Sequence, residues 1–383
     1  MFHTSYIEIS KKAYKNNIRY LKKIIGKDAI FSSVIKGNAY GHGVENIIPM
    51  AEESGIRHFS VFSAKEALDA HKVIKNGSRI MIMGLLDDEE MEWAIENDIE
   101  FFVFDWCRLE QAVATAKLMG KKARIHIEAE TGFNRTGFDY ENIRDLIDYL
   151  KQEQEHYIFQ GLCTHYAGAE SLANYLRIKN QISKFRQFNR YFTRHDLQPA
   201  LRHTACSAAA LTYPNTIMDM VRFGISQYGF WPSPETHMFR FRKDSKDTNP
   251  LKRLLSWKSK VMVVKTVEPG NFIGYGSSFL ANKRMKIAII PVGYANGFSR
   301  ALSNTGRVLI RGRRVSVIGT VTMNTMTVNV TDIPNVERGD EVVIIGKQKR
   351  LSISISSFCE MSEQLNYQLL TRLPQDIPRV IVQ

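Results

Sequence analysis

After Lys36 the chain repeats one pattern, a short apolar run followed by an amphipathic stretch of helical length. The runs are HFSVFS, RIMIMG, IEFFVFD, ARIHIEAE, FQGLCTH and ALRHTA. Between them lie stretches such as SAKEALDAHKVIK, RLEQAVATAKLMG, YENIRDLIDYLKQEQ and ANYLRIKNQISKFRQFNRYF. Strand and helix alternating at this spacing predict parallel βα units, and about eight of them by residue 230 predict a closed (β/α)8 barrel of TIM type. A doubly wound open sheet shares the periodicity. Beyond Pro232 and Pro234 the pattern changes to short β-rich runs, KVMVVKTVE, KIAIIPVGY, RVLIRGRRVSVIG, MTVNVTD and EVVIIG, separated by Gly, Pro and Asn turns. This predicts a mainly β second domain, with the boundary near residue 235 and domains of 1–235 and 236–383.

Length and composition agree with two globular domains: 383 residues, 44% hydrophobic and 24% charged. No apolar run approaches the roughly 20 residues of a membrane span, and MFHTSYIEISKKAYKNN has no signal-peptide core. Cys107, Cys163, Cys206 and Cys359 lie far apart without metal-like pairing, so free thiols in a reducing cytoplasm are expected and no metal site. The net charge of +13 is compatible with nucleic acid or with anionic ligands, but no nucleic-acid motif accompanies it. Its densest stretch, Arg240 to Arg253, reads as a solvated loop.

Candidate chemistry centres on Lys36 in VIKGNAYGHG. A lysine condenses with an aldehyde only as the free amine, and the end of an apolar strand is where burial lowers its pKa. Gly37, Gly41 and Gly43 let the backbone turn closely around a bulky ligand. An isolated lysine after an apolar run is ordinarily a strand-end charge reaching solvent. The whole string resembles the cofactor-lysine motif of the alanine racemase family, pyridoxal-phosphate enzymes of fold type III. Further motifs across nearly the full chain carry the same resemblance, which favours the barrel over the open sheet. SYIEISKKAYKNNIRYLKK resembles the family's opening strand and first helix, the strand there packing with the C-terminal domain.

The resemblance implies roles at matching positions. Ser207 in HTACSAAAL, with the backbone of Gly224 and Ile225 in VRFGISQYGF and with Tyr40 and Tyr367, matches the phosphate-binding positions. Arg222 matches the arginine that faces the pyridine nitrogen. An arginine there leaves that nitrogen unprotonated and the cofactor a weaker electron sink, which favours racemisation over transamination. His165 in CTHYAGAES matches a histidine of this network, although a lone strand-end histidine is more often structural. Tyr275 in NFIGYGSSF matches the second catalytic base opposite Lys36; a phenol with reference pKa near 10 needs positive neighbours for that task. In the family the tyrosine comes from the other subunit of a homodimer, together with Met323, whose N–H caps the substrate carboxylate, and Tyr294, which narrows the entrance.

Arg135 in EAETGFNRTG matches the substrate-carboxylate arginine. Glu128 stands where many members carry a carbamylated lysine and Glu130 where they carry aspartate, so Glu128 is expected to supply a permanent anion that fixes Arg135. Cys206, Asn296 and Asn324 are further departures, and they bear on substrate choice. The implied activity is a pyridoxal-phosphate-dependent amino-acid racemase, an isomerase acting first on alanine and supplying D-alanine for peptidoglycan precursors in a bacterium. Serine as substrate is an alternative. So is a decarboxylase of the same fold, which would place a cysteine where Tyr275 stands, or a single-barrel pyridoxal-phosphate carrier, which would lack the β domain. Small amino-acid substrate and a second copy of the chain are the expected partners, with neither nucleic acid nor membrane.

Overall fold

The computed structural model describes residues 3–244, 249–355, 358 and 366–383, which leaves Cys359 and Lys246 outside the described residues. The chain divides into two compact units, one of residues 13–39 and 47–253, the other of residues 1–12, 40–46 and 254–383. Strand β1 (Ser5–Ser10) belongs to the second unit.

The first unit holds eight parallel strands: β2 (Ile30–Val34), β3 (His58–Val61), β4 (Arg79–Ile82), β5 (Glu100–Val103), β6 (Ala123–Glu128), β7 (Tyr157–Cys163), β8 (Leu201–His203) and β9 (Met220–Phe223). Seven pair with their sequence neighbours from β2 to β8, and β9 pairs back onto β2, Ser32 opposite Arg222. The remaining seam between β8 and β9 is bridged where Arg222 N donates to Ala205 O at 3.0 Å and Asp219 N to Arg202 O at 3.1 Å. The sheet is thus a nearly closed barrel, as the βα repeat predicts. Between strands run helices whose apolar stripe is buried, such as Ile143–Gln152, which buries Ile143, Leu146, Ile147 and Leu150 at helical spacing.

Alternate residues of a strand share a face. Met81, Phe102, Cys163 and Met220 pack together as one apolar cluster. Two positions from these lie Arg79, Glu100 and Arg222, so the same face carries polar side chains among the apolar ones. Of the stretch expected to be a solvated loop, Arg240 to Asp244 closes the helix Pro234–Asp244, whereas residues 249–253 are loop with Lys252 and Arg253 exposed. Glu235 of that helix accepts from Ser171 Oγ and Leu172 N. At the far end Arg253, though exposed, stacks over the Phe230 ring at 3.6 Å, and the desolvation this brings lowers its pKa to about 10. The barrel unit thus ends at Arg253 rather than near residue 235.

The second unit is one mixed sheet. Its strands are β10 (Leu255–Lys260), β11 (Val263–Val267), β12 (Met285–Ile290), β13 (Arg307–Ile310), β14 (Arg313–Ile318), β15 (Met326–Asn329), β16 (Glu341–Gln348), β17 (Leu351–Ile353) and β18 (Arg379–Val382), joined by β1. The order is β11-β12-β15-β14-β13-β16-β10-β1-β18, with β17 paired to β16. β1 lies antiparallel to β10 and parallel to β18. Ile273, Ala281, Met285, Ile287 and Ile318 form one of its cores.

Candidate active site

Lys36 follows β2 after Ile35, and buried bonds fix the strand end that precedes it. Gln227 accepts from Ser33 Oγ at 2.7 Å and from Tyr14 Oη at 3.2 Å, and donates to the carbonyls of Val34 and Phe223 at 3.0 and 2.9 Å. Tyr228 Oη donates to Val34 O at 2.9 Å. After Lys36 the backbone turns left-handed over Gly37, Asn38, Ala39 and Tyr40. Glu66 holds the start of that turn, accepting from Gly37 N at 2.7 Å and from Phe62 N at 2.8 Å. The Lys36 side chain is exposed in the single chain. Its pKa is lowered by desolvation first and by the charge of Arg135 second, against a smaller opposing effect of Glu66.

Arg222, on β9, is 4% exposed. Its Nη1 donates to His203 Nδ1 and, at 2.8 Å, to His203 O, while Nη2 donates to Thr164 O at 2.7 Å. His165 follows Thr164, its ring 5.7 Å from that of Phe133. Burial, with Arg222, Arg135 and Lys36 nearby, lowers the His165 pKa to about 3, so its imidazole is neutral. Arg135 is exposed and lies over Phe133 at 4.2 Å. Glu130 shapes the turn that presents it, accepting from the N–H groups of Gly132, of Phe133 at 2.8 Å and of Asn134 at 2.9 Å. Glu128 is buried and accepts from Thr136 Oγ1 at 2.7 Å. It acts on Arg135 through its field rather than by a direct bond; burial raises its pKa, while Thr136, Arg135 and Arg222 oppose the rise.

Ser207 opens a helical turn, Ser207–Thr212, and its Oγ accepts from Gly224 N at 3.0 Å. That bond occupies the oxygen's acceptor side and leaves the hydroxyl hydrogen for an anion. Gly224 precedes a one-turn helix, Ile225–Tyr228, whose first N–H groups have no intrahelical acceptor. Hydroxyl, helix-end amides, an amine of lowered pKa and a buried guanidinium form a donor set that fits the phosphate, aldehyde and ring nitrogen of pyridoxal phosphate.

In the β unit, the loops bearing the other candidates are tied to one another. Tyr294 N donates to Thr322 O at 3.0 Å and Ala295 N to Met323 O at 2.9 Å. Thr320 Oγ1 donates to Tyr275 O at 3.0 Å. Tyr275, Tyr294 and Met323 are 74, 43 and 55% exposed. The Tyr40 and Tyr367 rings lie 6.1 Å apart. Asn296 accepts from Gly293 N at 3.1 Å, a task an aspartate would do with the same oxygen. Cys206 precedes Ser207 without a side-chain cap bond, and Asn324 is exposed in the turn after Met323. Cys107, Cys163 and Cys206 are free thiols.

Sequence reading missed Gln227, Tyr228 and Glu66, which position Lys36, and the buried polar residues Glu100, His126 and His203. The signal for the last three was there: a charged or imidazole side chain inside an otherwise apolar strand run. No helix among the described residues is long and apolar enough to cross a membrane.

Comparison with known proteins agrees with this geometry. The family model described as alanine racemase, N-terminal domain, matches residues 9–232, and that described as alanine racemase, C-terminal domain, matches residues 254–381. A Leptospira interrogans protein named alanine racemase is 32% identical over 380 residues, covering 99% of this chain and 96% of the relative. The crystal structure of alanine racemase from D-cycloserine-producing Streptomyces lavendulae superposes with a TM-score of 0.90 at 29% identity, covering 100% of this chain and 98% of the other. A Bartonella henselae alanine racemase structure with covalently bound pyridoxal phosphate has a TM-score of 0.84 at 25% identity, covering 99% of this chain and 100% of the other.

Proposed function

This chain belongs to the alanine racemase family of pyridoxal-phosphate-dependent isomerases, and from that premise we propose that it interconverts L- and D-alanine by a two-base mechanism. The observation that carries the proposal is Lys36: an amine at a barrel strand end whose pKa is lowered by its surroundings, on the same unit as Arg135 and Arg222. Pyridoxal phosphate supplies an aldehyde that condenses with the substrate amine and a conjugated ring that takes up the electron pair left at the α-carbon. Lys36 would hold that aldehyde in the resting enzyme, Ser207 and Ile225 the phosphate with Tyr40 and Tyr367, joined by the Gly224 N–H once it exchanges Ser207 Oγ for the phosphate, and Arg222 the pyridine nitrogen.

Arg135 pairs with the substrate carboxylate, helped by the N–H of Met323 of the partner subunit. The Lys36 amine takes or returns the α-proton on one face, and Tyr275 of the partner subunit does so on the other. Because His165 is neutral, the positive charge available to favour a phenolate comes from the arginines rather than from the imidazole. Tyr294 of the partner subunit limits the room beyond the β-carbon, which favours alanine over serine or lysine. The working unit in this reading is a homodimer that shares its active sites.

Chiral chromatography of alanine, serine and lysine after incubation with the purified, cofactor-loaded protein tests the substrate. D-alanine should form from L-alanine, and L-alanine from D-alanine. A D-isomer from serine or lysine alone would move the substrate, and an amine product would replace the racemase with a decarboxylase.

A further inference from the structure

Below Arg222, the barrel interior carries a continuous run of polar side chains that the catalytic roles above do not use. His203 Nε2 lies 2.8 Å from His126 Nδ1, and His126 Nε2 lies 2.7 Å from Glu100 Oε2. Glu100 also meets His58 Nε2 at 3.1 Å and Arg79 Nε at 2.5 Å. His58 Nδ1 is 2.8 Å from Ser32 Oγ. Glu100, His126 and His203 are fully buried, and Arg79 reaches solvent. At the other end, none of the groups that Arg222 bonds is an anion.

The two ends dictate the direction of every bond between them. A guanidinium only donates, so His203 Nδ1 accepts, its proton sits on Nε2, and that proton is donated to His126 Nδ1. By the same step His126 carries its proton on Nε2 and donates to Glu100, a carboxylate that only accepts. Burial, then the charge of Arg222, holds His203 well below the usual imidazole range. His126 is likewise lowered by burial, against the pull of Glu100. For Glu100 itself burial works towards the neutral acid, but His58 and the bonds from both histidines outweigh it and keep the carboxylate. Glu128, Cys163, His165, Tyr166 and Cys206 are other titratable groups that feel Arg222.

We infer that Glu100 is a positioning residue: through neutral His126 and His203, both in the Nε2–H tautomer, its charge anchors Arg222 as a fixed, always charged donor. No proton moves; each link is polarised in the same sense, and the buried guanidinium receives its counter-charge at a distance. What Arg222 donates to rests on the racemase reading, whereas the chain of bonds does not.

Long-range proton–nitrogen NMR of histidine-labelled protein, with and without pyridoxal phosphate, reads the tautomers directly. Both His126 and His203 should be neutral with the proton on Nε2 at neutral pH. A proton on Nδ1, or an imidazolium at either residue, overturns the inference even in an active racemase; the expected tautomers in a protein that racemises nothing uphold it. In Glu100→Gln the amide oxygen can still accept but the charge is gone. The visible band of the bound cofactor should then titrate with a shifted midpoint, and kcat should fall about tenfold with KM nearly constant, a tenfold step being one pK unit of charge stabilisation. A folded variant with an unmoved titration and unchanged kcat overturns the anchoring role. If that variant does not fold, the tautomers of the unaltered protein still decide.

Discussion

Glu128 and Glu130 divide between them the work of presenting Arg135. Glu130 gathers three consecutive backbone N–H groups and so sets the turn on which Arg135 stands. Glu128, held by Thr136 in a buried position, has no such mechanical task and contributes charge. Removing that charge while keeping the shape should weaken the hold on a substrate carboxylate more than the chemistry. Glu128→Gln is therefore expected to raise KM about five- to tenfold, about 1 kcal/mol of through-space attraction, with little change in kcat. Steady-state kinetics on alanine check this, and unchanged constants would sink the idea.

The left-handed turn after Lys36 is the element on which the site depends most. Left-handed backbone costs little at Gly37 and Asn38 but is strained at Ala39 and Tyr40. Gly41 then continues with φ +77°, and a β-carbon there would run into the Leu370 carbonyl. Gly41→Ala should destabilise the fold by about 2 kcal/mol or more, seen as a lower urea midpoint, because backbone strain and overlap add. The glycines of this motif were legible in the sequence, and so was the barrel, whose apolar runs and helical stretches repeat with a clear period. The handedness at Ala39 and Tyr40 was not, since neither residue type favours it and only surrounding contacts impose it. Gln227 was hidden for a related reason: three of its four bonds reach residues far away in sequence, which no local pattern encodes. The helix Pro234–Asp244 was masked by its many basic residues, which read as loop although straight-chain residues such as Arg and Lys are good helix formers.

At the scale of the whole molecule, Lys36 and Tyr275 fall on different compact units, and Tyr275, Tyr294 and Met323 stand exposed on tied loops. The proposed sharing of sites makes a quantitative demand. Lys36→Ala and Tyr275→Phe should each be nearly inactive alone, yet after mixing and reassembly about a quarter of the activity should return, because half of the dimers are mixed and each carries one intact site. Absence of recovery, with mixed dimers present by mass spectrometry, would mean that each subunit completes its own site. The position of β1 has a different consequence, during synthesis. Its two neighbours are β10 and β18, so a strand ending at Ser10 finds no partner until residues 255–260 leave the ribosome, and its second edge stays open until residues 379–382 do. At ~5–20 residues per second the nascent chain carries this unpaired strand for roughly ten to fifty seconds, while every strand of the barrel emerges before either neighbour of β1 exists.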